Sequence, residues 1–329
     1  MTRVRGRMSD GAEPLTAAGL RVCLVIPYFG RWPFWFSHFL ESVRWNPGIQ
    51  WLFYTDCGVP ENVPANTRFV DSSFADYCRR VSNALGIVFA PENPYKLCDL
   101  KPCLGRVHQE ELRGFDFWGF SDIDVIYGDL ERYLAPRLHY DLISTHANRV
   151  SGHFCVLRNT QEMRDLFMRV PDWARLLASH EHHAFDEGPF SRIFIRHKNW
   201  PQWARRLADR RNPYRQRALF EEAYSTPGGR VPWRDGSRSF PEWWHWQRGE
   251  LSNSFADGLD YPYFHFIQLK CERWSATTTA SGDAGAEDGF VVSANGVSPA
   301  SSEQASVVPS PPAASAASAA SARACGARQ

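Results

Sequence analysis

The run Arg21-Val22-Cys23-Leu24-Val25-Ile26-Pro27-Tyr28 constrains this chain more than any other feature. It is apolar without alternation and β-branched at Val22, Val25 and Ile26, the pattern of a strand buried on both faces, and Pro27 and Gly30 end it. Burial on two faces requires a layer above and a layer below, so a parallel sheet flanked by helices is expected. Phe36, Phe39, Leu40 and Val43 recur at helical spacing until Asn46-Pro47-Gly48 breaks the pattern. Residues 49–55 then read as a second strand with Asp56 at its carboxyl end, residues 68–70 as a short third, and residues 74–85 as a helix. A strand–helix–strand unit of this length predicts an α/β fold with a mixed, mostly parallel, Rossmann-like sheet. Ligands of such sheets bind beyond the carboxyl ends of the strands, which places Pro27, Tyr28 and Asp56 where a nucleotide can sit.

Composition narrows the function classes. Among the 329 residues, 37 Lys+Arg balance 36 Asp+Glu for a formal charge of +1, so no electrostatic footprint for nucleic acid is expected. No run approaches the roughly 20 apolar residues of a membrane span, which excludes a transmembrane enzyme and leaves peripheral membrane contact at most. Residues 1–7 are basic, but 9–14 bring no apolar stretch, so export is not expected. The 8 cysteines are scattered without C-x-x-C pairs, as reduced thiols of a cytosolic protein are. From about Ser275 to Gln329 the chain is dominated by Ala, Ser, Gly, Pro and Thr, too little apolar area to offset the entropy of ordering. The expected organisation is a disordered tail over 1–19, one folded domain over 20–274 and a second disordered tail over 275–329.

The most informative passage is Asp116-Phe117-Trp118-Gly119-Phe120-Ser121-Asp122-Ile123-Asp124-Val125-Ile126-Tyr127. It reads as an aromatic strand running into two carboxylates one residue apart. In an extended chain residues i and i+2 point to one side, so Asp122 and Asp124 can share a divalent cation or divide between a cation and a ribose. Hard oxygen ligands suit Mg²⁺ or Mn²⁺, which also coordinates substrate phosphates. Asp-x-Asp alone is a weak signal and solvated turn aspartates are the alternative. Here the flanking Trp118, Phe120, Ile123, Val125 and Ile126 argue for burial, and buried carboxylates need a partner.

With this passage the sequence resembles nucleotide-sugar-dependent glycosyltransferases of the GT-A fold, the bacterial polysaccharide type and, more distantly, families 8 and 32. The resemblance covers about Val22 to Lys270 and rests on the amino-terminal strand, the string Tyr95-Lys96-Leu97-Cys98-Asp99-Leu100-Lys101-Pro102, and Trp118-Gly119-Phe120-Ser121-Asp122-Ile123-Asp124. It implies that Asp124 ligates the metal and that Asp122 touches the ribose and the ion. It also implies that Lys96 and Asp99 lie near the donor sugar. Pro102 stands where the family carries a basic residue, and Lys101 is the available substitute. The stretch Tyr261-Pro262-Tyr263-Phe264-His265-Phe266-Ile267-Gln268-Leu269-Lys270 resembles the family 8 ending, in which a histidine is the third metal ligand and a lysine binds diphosphate. His265 and Lys270 match those positions, with a spacing one residue shorter. A core histidine is the alternative for His265.

Sugar transfer with inversion needs a carboxylate that takes the acceptor hydroxyl's proton. Asp186 or Glu187, in Glu181-His182-His183-Ala184-Phe185-Asp186-Glu187-Gly188, is the candidate, against simple charge at a helix amino terminus. The clustered His180, His182 and His183 lack any zinc spacing. Gly152, before an apolar strand, permits close backbone approach to a donor, and His153 is a candidate for sugar contact or for a structural role. Of the 13 tryptophans, Trp32, Trp35, Trp45, Trp51 and Trp118 read as core. Trp243, Trp244 and Trp246 lie in an Arg-rich neighbourhood and can stack on acceptor sugar rings, or pack a late helix or loop.

The function expected is therefore a Mn²⁺- or Mg²⁺-dependent glycosyltransferase acting in the cytoplasm, with a nucleotide-sugar donor and a glycan or lipid-linked acceptor. A site at the inner face of the cell membrane fits such an acceptor. A metal-dependent phosphotransferase or nuclease, and a silent carbohydrate-binding protein of the same fold, are the alternatives. The absence of a Gly-rich phosphate loop counts against the former.

Overall fold

The structure, a computed structural model, describes residues 4–5, 19–195, 200–268 and 289–300. Its central sheet uses β1 (Val4–Arg5), β2 (Val22–Pro27), β3 (Ile49–Thr55), β4 (Thr67–Asp71), β5 (Phe117–Ser121), β7 (Leu142–Ser144), β8 (Phe154–Arg158) and β9 (Ala218–Phe220), in the order β1-β4-β3-β2-β5-β8-β7-β9. Pairing is parallel from β4 through β3 and β2 to β5 and again between β7 and β9. β8 runs antiparallel to both of its neighbours, and β1 runs antiparallel to β4. This is the mostly parallel, Rossmann-like α/β architecture that the apolar runs predict.

Alternate residues of the inner strands feed two cores. Cys23, Val25, Leu52 and Tyr54 pack on the face covered by helix α2 (Phe74–Leu85), and Val22, Leu24, Ile26, Trp51 and Phe53 on the face covered by helix α1 (Phe36–Arg44). Helix α2 starts on a Ser73 cap that accepts from Asp76 N and stops at Gly86 in the left-handed conformation, φ 67°. From β2 the chain winds outward to β3 and β4, then returns to the other side of β2 as β5. The strand order thus reverses at β2, and a crevice is expected beyond its carboxyl end and that of β5.

Two smaller sheets stand beside the main one. β6 (Val125–Tyr127) pairs antiparallel with β12 (Tyr263–His265). β10 (Trp243–Gln247) is the centre of a sheet with order β11-β10-β13-β14, formed with β11 (Glu250–Asn253), β13 (Phe290–Ser293) and β14 (Gly296–Pro299).

The domain boundary expected at residue 274 is therefore too early. Phe290 and Val292 bury against Trp244 and Trp246, and the two residues Ala294-Asn295 turn the chain back before Gly296. A short apolar hairpin with a two-residue loop is hidden in the average composition of the flanking Ala/Ser/Pro segment. The amino-terminal stretch expected to be a tail likewise contributes β1 to the sheet. No helix is long and apolar enough to cross a membrane among the described residues. The described cysteines are free thiols.

Candidate functional site

A cavity of about 650 Å³ opens at the switch point, lined by Pro27 and Tyr28 at the end of β2, Lys101 from the segment before β5, Ser121, Asp122 and Asp124 at and just past the end of β5, and Gly152, His153, Asp186, Glu187 and His265 from later segments. Residues separated by more than 200 positions, Pro27 and His265 among them, meet there.

Asp122 and Asp124 are not on an extended strand. β5 ends at Ser121 and β6 begins at Val125, and the residues between them bend. Alternation along a strand is thus not what brings the carboxylates together. Trp35 Nε1 donates to Ile123 O at 3.1 Å, Asp122 N donates to His153 O at 3.0 Å, and Phe266 N donates to Asp124 O at 3.2 Å, which pins the bend from three sides. In the β6–β12 ladder His265 stands opposite Val125, so backbone pairing delivers the imidazole to the carboxylates. One ligand atom each from Asp122, Asp124 and His265 lies within 4.8 Å of the others.

The imidazole has one nitrogen engaged and the other without a hydrogen bond. His265 Nδ1 is 3.2 Å from Thr226 Oγ1, and Nε2 faces Asp124 Oδ1 at 3.5 Å, beyond hydrogen-bond length. Nε2 is buried with no hydrogen-bond partner. A buried nitrogen left without a partner between two carboxylates fits a divalent cation, which would satisfy it. His153 stacks on the His265 ring with centroids 4.1 Å apart, and its Nε2 lies 2.8 Å from Tyr263 Oη. Burial, followed by the charges of His265, His146, Lys101 and Arg149, pushes the His153 imidazole well below its ordinary range, so it is neutral near pH 7.

Lys101 ties Asp122 to the residues just before β8. Its ammonium pairs with Asp122 Oδ1 and donates to Gly152 O at 2.7 Å. Burial alone would pull it down, but the charges of Asp122, Cys98 and Asp186 outweigh that and hold it above its usual value. It is a fixed cation at the cavity wall. Asp186 is buried at the start of a single π-helical turn over Asp186–Phe190, where its Oδ1 accepts from Glu187 N at 2.8 Å. Burial raises its carboxyl to about 7, with Lys101 and the Glu187 N–H opposing the rise. Glu187 faces the Arg149 guanidinium, Nε to Oε2 at 3.5 Å. A Cβ on Gly152 would lie 2.9 Å from Asp186 Oδ2 and 3.2 Å from Glu187 Oε1, so only glycine leaves both carboxylates where they are.

Several sequence expectations fail here. Lys96 and Asp99 form a buried ion pair at 2.8 Å away from the cavity. Lys96 also donates to Leu176 O and Glu181 O, and Asp99 accepts from the backbone N–H of His183 and Phe185, both at 2.9 Å. The pair holds the segment that carries Asp186; a buried lysine with three oxygen partners has no donor left for a sugar. Asp56 does not line the cavity, and its Oδ1 instead accepts from Gly30 N at 2.8 Å, tying down the loop after β2. Trp243, Trp244 and Trp246 lie on β10, in neither a helix nor a loop. Trp244 stacks on Phe264 at 4.5 Å, and Trp246 stacks on Phe290 at 4.9 Å while donating Nε1 to Tyr127 O. Trp244 and Trp246 are core of the second sheet, Trp243 is half-buried, and none of the three lines the cavity. Trp51 and Trp118 are core, whereas Trp45 is exposed and Trp35 lines the cavity. Lys270 lies outside the described residues.

Sequence reasoning also missed Thr226, Tyr263 and Trp35, which orient the two histidines and the bend. Their partners are distant in the chain, and no local pattern announces them.

A comparison with curated proteins found no match. A family model described as a family of unknown function, DUF6625, matches residues 24–300, a span that takes in the central sheet from β2 to β9, the three candidate ligands and the β13–β14 hairpin; the chain belongs to that family.

Proposed function

We propose that this protein is a metal-dependent glycosyltransferase that moves a sugar from a nucleoside-diphosphate-sugar donor to a glycan or lipid-linked acceptor, in synthesis of bacterial surface polysaccharide at the cytoplasmic side of the membrane. The observation that carries the reading is the convergence of Asp122, Asp124 and the unsatisfied His265 Nε2 at a switch-point cavity. Asp122, Asp124 and His265 would hold Mn²⁺ or Mg²⁺, the imidazole favouring the former. Bound there, the cation would neutralise charge on the donor diphosphate as the sugar leaves.

The chain's own groups supply the rest. Lys101, a cation fixed by its position between Asp122 and Gly152, sets positive charge at the wall of the donor cavity. Pro27 and Tyr28 bound the cavity on the β2 side, and this reading assigns them to the nucleoside. Asp186 is assigned the proton of the acceptor hydroxyl: it is buried, lines the cavity and titrates near neutrality, as a general base at cellular pH requires. Glu187, paired with Arg149, is assigned to orient the acceptor.

The test is a screen of nucleotide sugars for Mn²⁺-dependent release of nucleoside diphosphate, in wild type and Asp124→Asn. Turnover by wild type, lost in the variant and in chelator, supports the reading. If every donor remains intact with Mn²⁺ and a broad acceptor pool, the enzymatic reading fails; if a sugar phosphate or nucleic acid is cleaved instead, the phosphotransferase or nuclease alternative replaces it.

A further inference from the structure

The helix over Gln202–Arg211 is inverted relative to an ordinary surface helix. Trp203, Arg206, Leu207, Arg210 and Arg211 fall at i, i+3, i+4, i+7 and i+8, one face, and all are exposed. Ala204, Arg205, Ala208 and Asp209, on the opposite side, are partly buried against the protein. A soluble helix places its apolar stripe inward. Here Trp203 is 72% exposed and Leu207 47%, with arginines on either side of them. Trp200, just before the helix, is 51% exposed.

We infer that this face docks on an anionic lipid surface. An outward stripe of Trp and Leu flanked by arginine matches what an interfacial helix requires: the indole and the Leu side chain enter the headgroup boundary, and the guanidinium groups remain at phosphate level on their apolar stems. The charge argues for lipid phosphate over an uncharged partner, since three exposed arginines share the face with no acidic residue among them. The apolar side chains argue against nucleic acid as the occupant, because leucine gains nothing from a solvated phosphate backbone.

The helix is coupled to the candidate acceptor side of the cavity. Asn212, at its carboxyl end, donates Nδ2 to Ile193 O at 2.8 Å and to Phe194 O at 3.0 Å. The short helix Ser191–Phe194 continues directly from the Asp186–Phe190 turn, and Ser191 Oγ donates to Asp186 O at 2.9 Å. Docking would therefore set the Asp186 turn near the bilayer, where a lipid-linked acceptor is presented. That last step rests on the proposed function, whereas the lipid contact does not.

The experiment is co-sedimentation of the full chain with vesicles of phosphatidylcholine alone and of phosphatidylcholine and phosphatidylglycerol in equal parts, for wild type, Trp203→Ser/Leu207→Ser and Arg206→Gln/Arg210→Gln/Arg211→Gln. These side chains are exposed, so far-UV circular dichroism and the thermal midpoint should match wild type. The expected result is binding to the phosphatidylglycerol vesicles that weakens with salt and falls by about tenfold or more in each variant. Equal binding by wild type and variants, or none by wild type, would overturn the inference. So would a concentration-dependent dimer that the Trp203/Leu207 variant disperses without vesicle binding, or tighter binding to duplex DNA than to vesicles. Nucleotide-sugar turnover with a water-soluble acceptor tests the cavity chemistry separately, because it does not require the helix.

Discussion

Thr226 Oγ1 lies 3.2 Å from His265 Nδ1, leaving Nε2 of the same ring turned toward Asp124. A second partner on the remote nitrogen fixes both the tautomer and the orientation of a ligating histidine. Thr226→Val should therefore weaken Mn²⁺ binding by about tenfold while leaving the fold intact. Titration calorimetry with Mn²⁺ measures this; an unchanged affinity would show that the Thr226 contact does not support metal binding.

Asp186 makes a pH prediction whose sign follows from its raised pKa. The folded carboxyl titrates near 7 against an ordinary 3.8, so the folded state binds the proton more tightly than the unfolded state does. Its contribution to stability is present at low pH and is lost as pH rises toward 7. Asp186→Asn should flatten the fall in thermal midpoint between about pH 4 and 7. If Asp186 is the base, the same substitution should lower kcat by about 10²- to 10⁴-fold and abolish the acid limb of the pH–rate profile. A variant that keeps the limb would assign the proton to another group.

Gly152→Ala should leave the strand β8 intact but displace the Asp186 and Glu187 carboxylates, since its Cβ would press on both. The expected result is a fall in kcat larger than any change in donor KM, with a thermal midpoint close to wild type. A loss confined to donor KM would place the effect on the donor side instead.

Lys96→Met should destabilise the protein by about 3 kcal/mol or more, because it leaves the Asp99 carboxylate buried without its cation. Urea unfolding checks this. Donor KM measured on the folded fraction should be near wild type; a large rise in KM with unchanged stability would restore Lys96 to the donor site.

Trp244→Ala should cost about 3–5 kcal/mol, the range for emptying a buried aromatic site, and acceptor KM should not move. Loss of acceptor binding without destabilisation would contradict the placement of Trp244 in the second sheet's core.

The strands and helices of the amino-terminal half were legible because their signals are local. Val22–Pro27 is apolar throughout, and residues 36–43 keep helical spacing. The candidate ligands were also legible, although the geometric reason was different: a bend and the β6–β12 ladder bring them together, where strand alternation was expected. What could not be read depends on which distant residues meet. The Lys96–Asp99 spacing is the same whether the pair faces a ligand or clamps Leu176 and Glu181, and only the tertiary fold decides. Trp243 to Trp246 and Phe290 to Ser293 each look marginal alone, and become a sheet because each supplies the apolar face the other lacks. Averaging composition over 275–329 concealed that partner.

The most direct test of the central claim is anomalous diffraction at the manganese edge from crystals of the full chain soaked with Mn²⁺ and a nucleoside diphosphate. The account predicts one strong peak bonded to Asp122, Asp124 and His265 Nε2, with the diphosphate on its open side. No peak at these three residues, or a fully occupied peak elsewhere with His265 Nε2 still unbonded, would contradict it.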